Sequence, residues 1–288
     1  MGMPAPFDAL HFGTAGIPHS GGGGNADYPS GLRALQHLGL SAAELPFVQS
    51  VDLSESEAKN LGSIARECGI ILSAHAPYYV NLASLERPKI HASISRIVKA
   101  AKILYAAGGH SVVFHAAFYQ ERPKEDVYTM VAQGLQEIES TLLKAGIEVW
   151  IRPELTGKPS QFGDPDELIR LAQEFEMVLP CIDFSHLHAR SGGRYNTMQE
   201  WDSVVRKLLE DTPKEKDLRH RMHIHLSGID YTPKGEKKHV ALDESDLNYE
   251  PLLHVLKRHG VCGTVICEGP EAVMVSDAQT LKSAFEKA

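Results

Sequence analysis

The chain is 288 residues long, 43% hydrophobic and 23% charged, which excludes a disordered polypeptide and leaves room for one large α/β domain or two ordinary ones. Its 29 Lys+Arg against 37 Asp+Glu give a net charge of −8, which argues against a partner held mainly by a broad basic surface. The 15 histidines, about 5% of the chain, are in excess, and histidine is the commonest metal ligand.

The opening run MGMPAPFDALHFG has no basic segment and no apolar core, so it does not read as a secretory signal. The first predicted strand is Ala9–Gly13, and Gly13-x-x-Gly16 with the run Gly21–Gly24 reads as a mobile loop behind it. A second strand is expected over Ala43–Val48. Ser54-x-x-Glu57 is a capping box opening a helix to Cys68, which Gly69 closes. The third strand, Ile70–Ala74, precedes a helix over Ala92–Ala107 that carries Ile94, Ile97, Val98, Ala101 and Leu104 on one face. The fourth, Ser111–Phe114, precedes a helix over Glu125–Ala145 built on Val131, Leu135, Ile138 and Leu142. After the fifth, Ile147–Ile151, Asp164-Pro165 sets the cap-then-proline start of another helix. The last three strands are Val178–Ile182, Met222–His225 and Thr264–Cys267.

Eight strands, each followed by helical sequence, predict one (β/α)8 TIM barrel over residues 1–288. The alternative, a doubly wound open sheet, lacks its glycine-rich fingerprint after the first strand. No linker divides the chain. Cys68, Cys181, Cys262 and Cys267 share no CxxC spacing, and three lie in apolar runs, so they read as reduced core residues. No apolar run approaches the length of a membrane span. A cytoplasmic protein is expected.

The ionisable residues fall at the predicted strand ends. The third strand ends in His75, the fourth in His115, the fifth in Glu154, the sixth in Asp183 with His186 three residues on, the seventh in His225 and the eighth in Glu268. The intervals between the strand-end residues are 40, 39, 29, 42 and 43 residues, each near one βα unit. In a barrel these positions share the C-terminal rim, where active sites are built. Burying so many such groups without partners costs several kcal/mol each, and divalent cations supply the compensation. Imidazole with carboxylate suits Zn²⁺, Mn²⁺ or Fe²⁺.

The runs His75-Ala-Pro-Tyr-Tyr-Val-Asn-Leu, Phe114-His115, Pro153-Glu154-Leu-Thr-Gly, Cys181-Ile-Asp183-x-x-His186, His225-Leu and Cys267-Glu268-Gly-Pro occur in order at barrel spacing. Over roughly residues 9 to 280 the chain resembles the endonuclease IV family, TIM-barrel apurinic/apyrimidinic endonucleases with a trinuclear zinc site. The resemblance implies two or three zinc ions and hydrolysis of the phosphodiester 5′ to an abasic site in DNA, a step of base excision repair. It assigns His75 and His115 to a first metal, bridged through Glu154 to a second that Asp183, His225 and Glu268 complete. His186 and His239 hold a third. The bridging Glu154 with Asp183, His225 and Glu268 forms the catalytic core so implied, and a monomer is expected to bind the DNA. Tyr78 and Tyr79 occupy the loop where the family penetrates DNA, and Lys237 and Lys238, with Lys234, are expected to meet phosphates.

Three departures stand against the family pattern. Lys237 replaces the aspartate of the family's Asp-x-His at the third metal, and Glu236 and Asp243 are alternative oxygen donors. Ser227-Gly228 replaces Asn-Asp. The segment Gln49-Ser-Val-Asp-Leu-Ser is short and lacks an arginine-bearing loop. Glu154, Asp183, His225 and Glu268 alone also resemble the single-metal site of xylose-isomerase-like sugar isomerases and epimerases, the rival reading. Of the other histidines, His223 should lie one layer beneath His225, and His188 is an outer-sphere candidate. His11 is placed in the barrel. His37, His91, His110, His220, His254 and His259 are expected at surface or packing positions. For Glu44 the sequence leaves open whether it faces the barrel interior or a helix.

Overall fold

In the computed structural model, which describes residues 3–18 and 28–288, eight parallel strands curl into a barrel wall. The strands are β1 (Leu10–Ala15), β2 (Ala42–Pro46), β3 (Ile71–His75), β4 (Ser111–Phe114), β5 (Trp150–Pro153), β6 (Ile182–Asp183), β7 (Met222–His225) and, after a hairpin of β8 (Gly228–Thr232) and β9 (Gly235–Val240), β10 (Gly263–Cys267). They are ordered β5-β4-β3-β2-β1-β10-β7-β6. The open edges meet through main-chain bonds: Ile151 and Leu155 N–H donate to the carbonyls of Met177 and Cys181, while Leu179 and Cys181 N–H donate to those of Ile151 and Pro153. The expected Gly21–Gly24 loop lies outside the described residues.

Two strands depart from their predicted bounds for identifiable reasons. The fifth pairs over Trp150–Pro153, not Ile147–Ile151, because register with Ser111–Phe114 sets the ladder while the apolar run only marks burial. The sixth splits its bonding: residues 177–181 bond to β5, and only Ile182 and Asp183 pair with β7. Pro180, with no N–H, interrupts any continuous ladder there.

The helices around the wall include α1 (Tyr28–His37), α2 (Glu55–Cys68), α3 (Arg87–Ala106), α4 (Lys124–Lys144) and α5 (Pro165–Glu174). The expected capping boxes form at Ser54/Glu57 and Asp164/Glu167, and Gly69 closes α2 in the left-handed region at φ 67°. Helix α3 starts at Arg87, five residues earlier than expected, because Pro88 sits in its first turn, where a missing N–H costs nothing. Leu61, Ile97, Leu104, Val131, Leu135 and Leu168 bury the helix faces against the wall. Each such side chain stabilises by roughly 1.5–3 kcal/mol.

Inside the barrel the filling is polar. Residues two apart on a strand point the same way in successive layers. Arg152 and His223 therefore lie beneath Glu154 and His225. Arg152 is wholly buried and satisfied, donating to Ser111 Oγ (2.7 Å) and to the carbonyls of Pro180 (2.8 Å) and Arg221 (2.7 Å). His223 lies between Glu44 and Thr264, with contacts of 2.9 Å on both ring nitrogens.

Candidate metal centre

The C-terminal mouth gathers the strand-end residues. His75 closes β3, and His115 and Glu154 follow β4 and β5. Asp183 and His225 end β6 and β7, and Glu268 follows β10. Among the described residues, beside a group of Cys181, His223 and His225, three groups form in which one donor atom per residue lies within 4.8 Å of every other: His75–His115–Glu154, Glu154–Asp183–His225–Glu268 and Asp183–His186–His239. Of these three, Glu154 is shared by the first two and Asp183 by the last two. Glu154 Oε2 lies 3.2 Å from His75 Nε2 and 3.1 Å from His115 Nε2, while Oε1 faces His186 Nδ1 at 3.2 Å and His225 Nδ1 at 3.4 Å. Its two oxygens thus serve two sides of the centre.

Asp183 does double duty in the local fold. Its Oδ1 accepts from His186 N–H at 2.6 Å, capping the short helix α6 (Phe184–Arg190) that delivers His186. Its Oδ2 is buried with no hydrogen-bond partner and lies 3.3 Å from His186 Nδ1. An unpartnered buried carboxylate oxygen is costly and fits a cation ligand.

The imidazoles are held from behind. The carbonyls of Ala76 and Leu155 accept from Nδ1 of His75 (2.7 Å) and His186 (2.9 Å), which leaves each Nε2 turned into the centre. His239 Nδ1 contacts Ser227 Oγ at 2.7 Å, and its Nε2 lies 3.9 Å from Glu268 Oε2. For His225 the order is reversed: Nε2 lies 3.0 Å from Glu44 Oε1, and Nδ1 faces Glu268 Oε2 at 3.3 Å. Outer partners that fix the ring and tautomer are the usual companions of metal-ligating histidine.

Charge is concentrated here. Burial opposes the charge of Glu154, yet His115 and His225 hold its carboxyl well below the usual range. Against the same burial, Glu154 raises His75 to about 9, and Asp183 with Glu154 raises His186 to about 10. Burial lifts Asp183 to about 6, partly offset by His186. Glu268 falls to about 2 despite burial, chiefly through His225. A cation entering this donor set displaces imidazole protons as it binds. The mixture of neutral nitrogen and anionic oxygen fits Zn²⁺, Mn²⁺ or Fe²⁺.

The remaining candidates separate. Tyr78 and Tyr79 are exposed at 62% and 64% on the rim, and Tyr78 lines the cavity above the centre, about 320 Å³ in volume. Lys237 and Lys238 stand on β9 rather than in a loop. Both are exposed, and Lys237 Nζ donates to Asp230 Oδ2 at 2.8 Å. Asp243 is exposed on the turn Leu242–Glu244, whereas Glu236 lines the cavity. His188 contacts the Arg194 carbonyl and Asp246, outside the groups. His110 is buried against Phe7 and His223, and His11 contacts Ser41 Oγ. Glu44 is resolved in favour of the barrel interior. It is wholly buried and accepts from Ser73 Oγ at 2.8 Å, with His223 Nε2 at 2.9 Å. Among the described residues no helix is long and apolar enough to cross a membrane.

A family model described as xylose isomerase-like TIM barrel matches residues 32–284. An uncharacterized protein of Methanocaldococcus jannaschii is 43% identical over 263 residues, covering 91% of this chain and 92% of its own. A probable endonuclease 4 of Sulfurihydrogenibium sp. is 27% identical over 148 residues, 50% of this chain and 52% of that protein. Among solved structures, endonuclease IV from Thermus thermophilus superposes with a TM-score of 0.73 at 18% identity, covering 96% of this chain and all (100%) of that one. A 3-keto-D-glucoside 4-epimerase from E. coli gives 0.70 at 14% identity, covering 95% and 99%. These structural likenesses share the fold and carry two different chemistries. The chain belongs to the xylose isomerase-like TIM barrel family.

Proposed function

We infer that the protein is a metal-dependent phosphodiesterase of the endonuclease IV type, a cytoplasmic, monomeric hydrolase that incises DNA 5′ to abasic sites in base excision repair. The observation that carries this reading is the sharing of Glu154 between two adjoining donor groups, with a third group sharing Asp183. A single-cation site has no use for His75 and His115. Divalent cations held by His75, His115, Glu154, Asp183, His225 and Glu268 would supply Lewis-acid polarisation of the phosphodiester and activation of water.

The chain's own residues account for the rest. Glu154 is oriented by imidazoles on both oxygens and stays anionic, so it spans the two groups without turning. The cavity over the centre, about 320 Å³ in volume, would receive an extruded sugar-phosphate. Tyr78 at its lip, with the exposed Tyr79 next in sequence, would stack where a base is missing. Lys237 and Lys238 on the outer hairpin face would touch phosphates beyond the cavity. A duplex carrying one abasic site should be cut to leave a 3′-hydroxyl. Chelator and Glu154→Gln should each abolish the cut. A metal-replete protein that leaves this duplex intact overturns the reading.

One observation favours the rival, a sugar epimerase. The segment after β2, Gln49-Ser-Val-Asp-Leu-Ser, is short and has no arginine to enter DNA. That chemistry would exchange a carbon-bound hydrogen of a ketose with solvent deuterium, which mass spectrometry detects directly.

A further inference from the structure

The hairpin of β8 and β9 contains a register shift. Ile229 pairs with His239 and Asp230 with Lys238, but Tyr231 pairs with Glu236, so Lys237 is one extra residue opposite the Asp230–Tyr231 step. Such a bulge breaks the strict alternation of side chains along a strand. Without it, Glu236 and His239, three apart, would face opposite sides. With it they share a side: both are half-buried and line the cavity, while Lys237 and Lys238 are exposed together.

The approach of Glu236 is built into the neighbouring loop. Glu236 N–H donates to the Gly157 carbonyl at 2.9 Å. A Cβ on Gly157 would stand 2.5 Å from Glu236 Cβ, 2.8 Å from its Oε2 and 2.9 Å from His186 Cδ2, so only glycine leaves room for both side chains. Glu236 Oε2 lies 3.7 Å from His186 Nε2, the nitrogen left free by the bond from Nδ1 to Leu155. Asp183 Oδ2, buried and unpartnered, adjoins the same imidazole.

We propose that Glu236, carried to the cavity side by the Lys237 bulge, is a carboxylate ligand of a third divalent cation held with His186 and His239. The lysine at the expected aspartate position is then an inserted residue pointing outward, and the oxygen donor is displaced by one position without being lost. This rests on the multi-cation reading above and deepens it.

The test counts zinc on the full-length protein by native mass spectrometry and measures the affinity of the last-bound ion by Zn²⁺ titration. Glu236→Gln should lower the count by one and weaken the last ion by at least about 100-fold, with the other ions unchanged. Adding Lys237→Asp to that variant should not restore the ion, because residue 237 faces outward. Deleting Lys237 from the wild type should retain it, since Glu236 and His239 then stand two apart and share a face by plain alternation. Unfolding in chelator, the same for Glu236→Gln and wild type, certifies the fold. A full count in Glu236→Gln, or rescue by Lys237→Asp, overturns the proposal. A wild type that binds two ions and never a third overturns it while sparing the bridged pair; one that binds a single ion overturns the reading beneath it.

Discussion

Glu44 is the residue whose role the sequence could not place. Its strand reads Ala42-Ala-Glu-Leu-Pro46, buried on both faces, so no alternation of polar and apolar residues says which way Glu44 points. The fold puts it beneath His225 and against His223 and Ser73. Its work is positional: it fixes the ring of His225 from behind. Glu44→Gln should therefore cost about 10–100-fold in metal affinity with little change in overall structure, measured by competition with a chromophoric chelator. His110 gives a separate residue-scale expectation. Burial, helped by His223 and Arg152, depresses its pKa well below 6.5, so the folded chain keeps it neutral while the unfolded chain protonates it. Its contribution to stability is present above pH 6.5 and is lost as pH falls beneath that value. As pH falls from about 6 to about 5 the wild type should lose more stability than His110→Gln, by up to about 1.4 kcal/mol, read from urea unfolding at each pH. Equal losses would show that His110 is already charged in the fold.

At the level of elements, the histidines and carboxylates at strand ends were legible because each ends an apolar run at the interval of a βα unit. The β8–β9 hairpin was not. Its sequence, Gly228 to Val240, is polar and lysine-rich, and only Thr232-Pro-Lys-Gly235 hints at a turn. The hairpin earns its place through close backbone approach: a Cβ on Gly228 would lie 2.1 Å from the Ala241 carbonyl oxygen. Gly157→Ala should push the hairpin off the Thr156–Pro159 loop and lower zinc stoichiometry by one, while the cations at Glu154 remain. Loss of all ions in that variant would mean that the hairpin supports the whole centre and not one corner of it.

For the whole molecule, eight strands in βα alternation, without the glycine-rich fingerprint of a doubly wound sheet, were enough to anticipate the barrel, which buries short apolar strands behind amphipathic helices and brings their ends to one rim. What could not be read was the polar interior. Arg152 bonds to Ser111 and to backbone carbonyls, and Glu44 pairs with Ser73 and His223, through contacts that exist only after closure. A barrel with this many buried acids at its mouth should be stabilised by divalent cations bound there. At metal about 100-fold above Kd, binding adds about 2.7 kcal/mol, and chelator should lower the Tm by roughly 5–10 °C. No shift in the Tm would mean that the mouth closes equally well without them. A multi-cation centre bridged by Glu154 is decided by the number of tightly bound divalent ions per intact chain, counted by native mass spectrometry. The wild type should hold two or three, and Glu154→Gln at most one. A single ion in the wild type would contradict it.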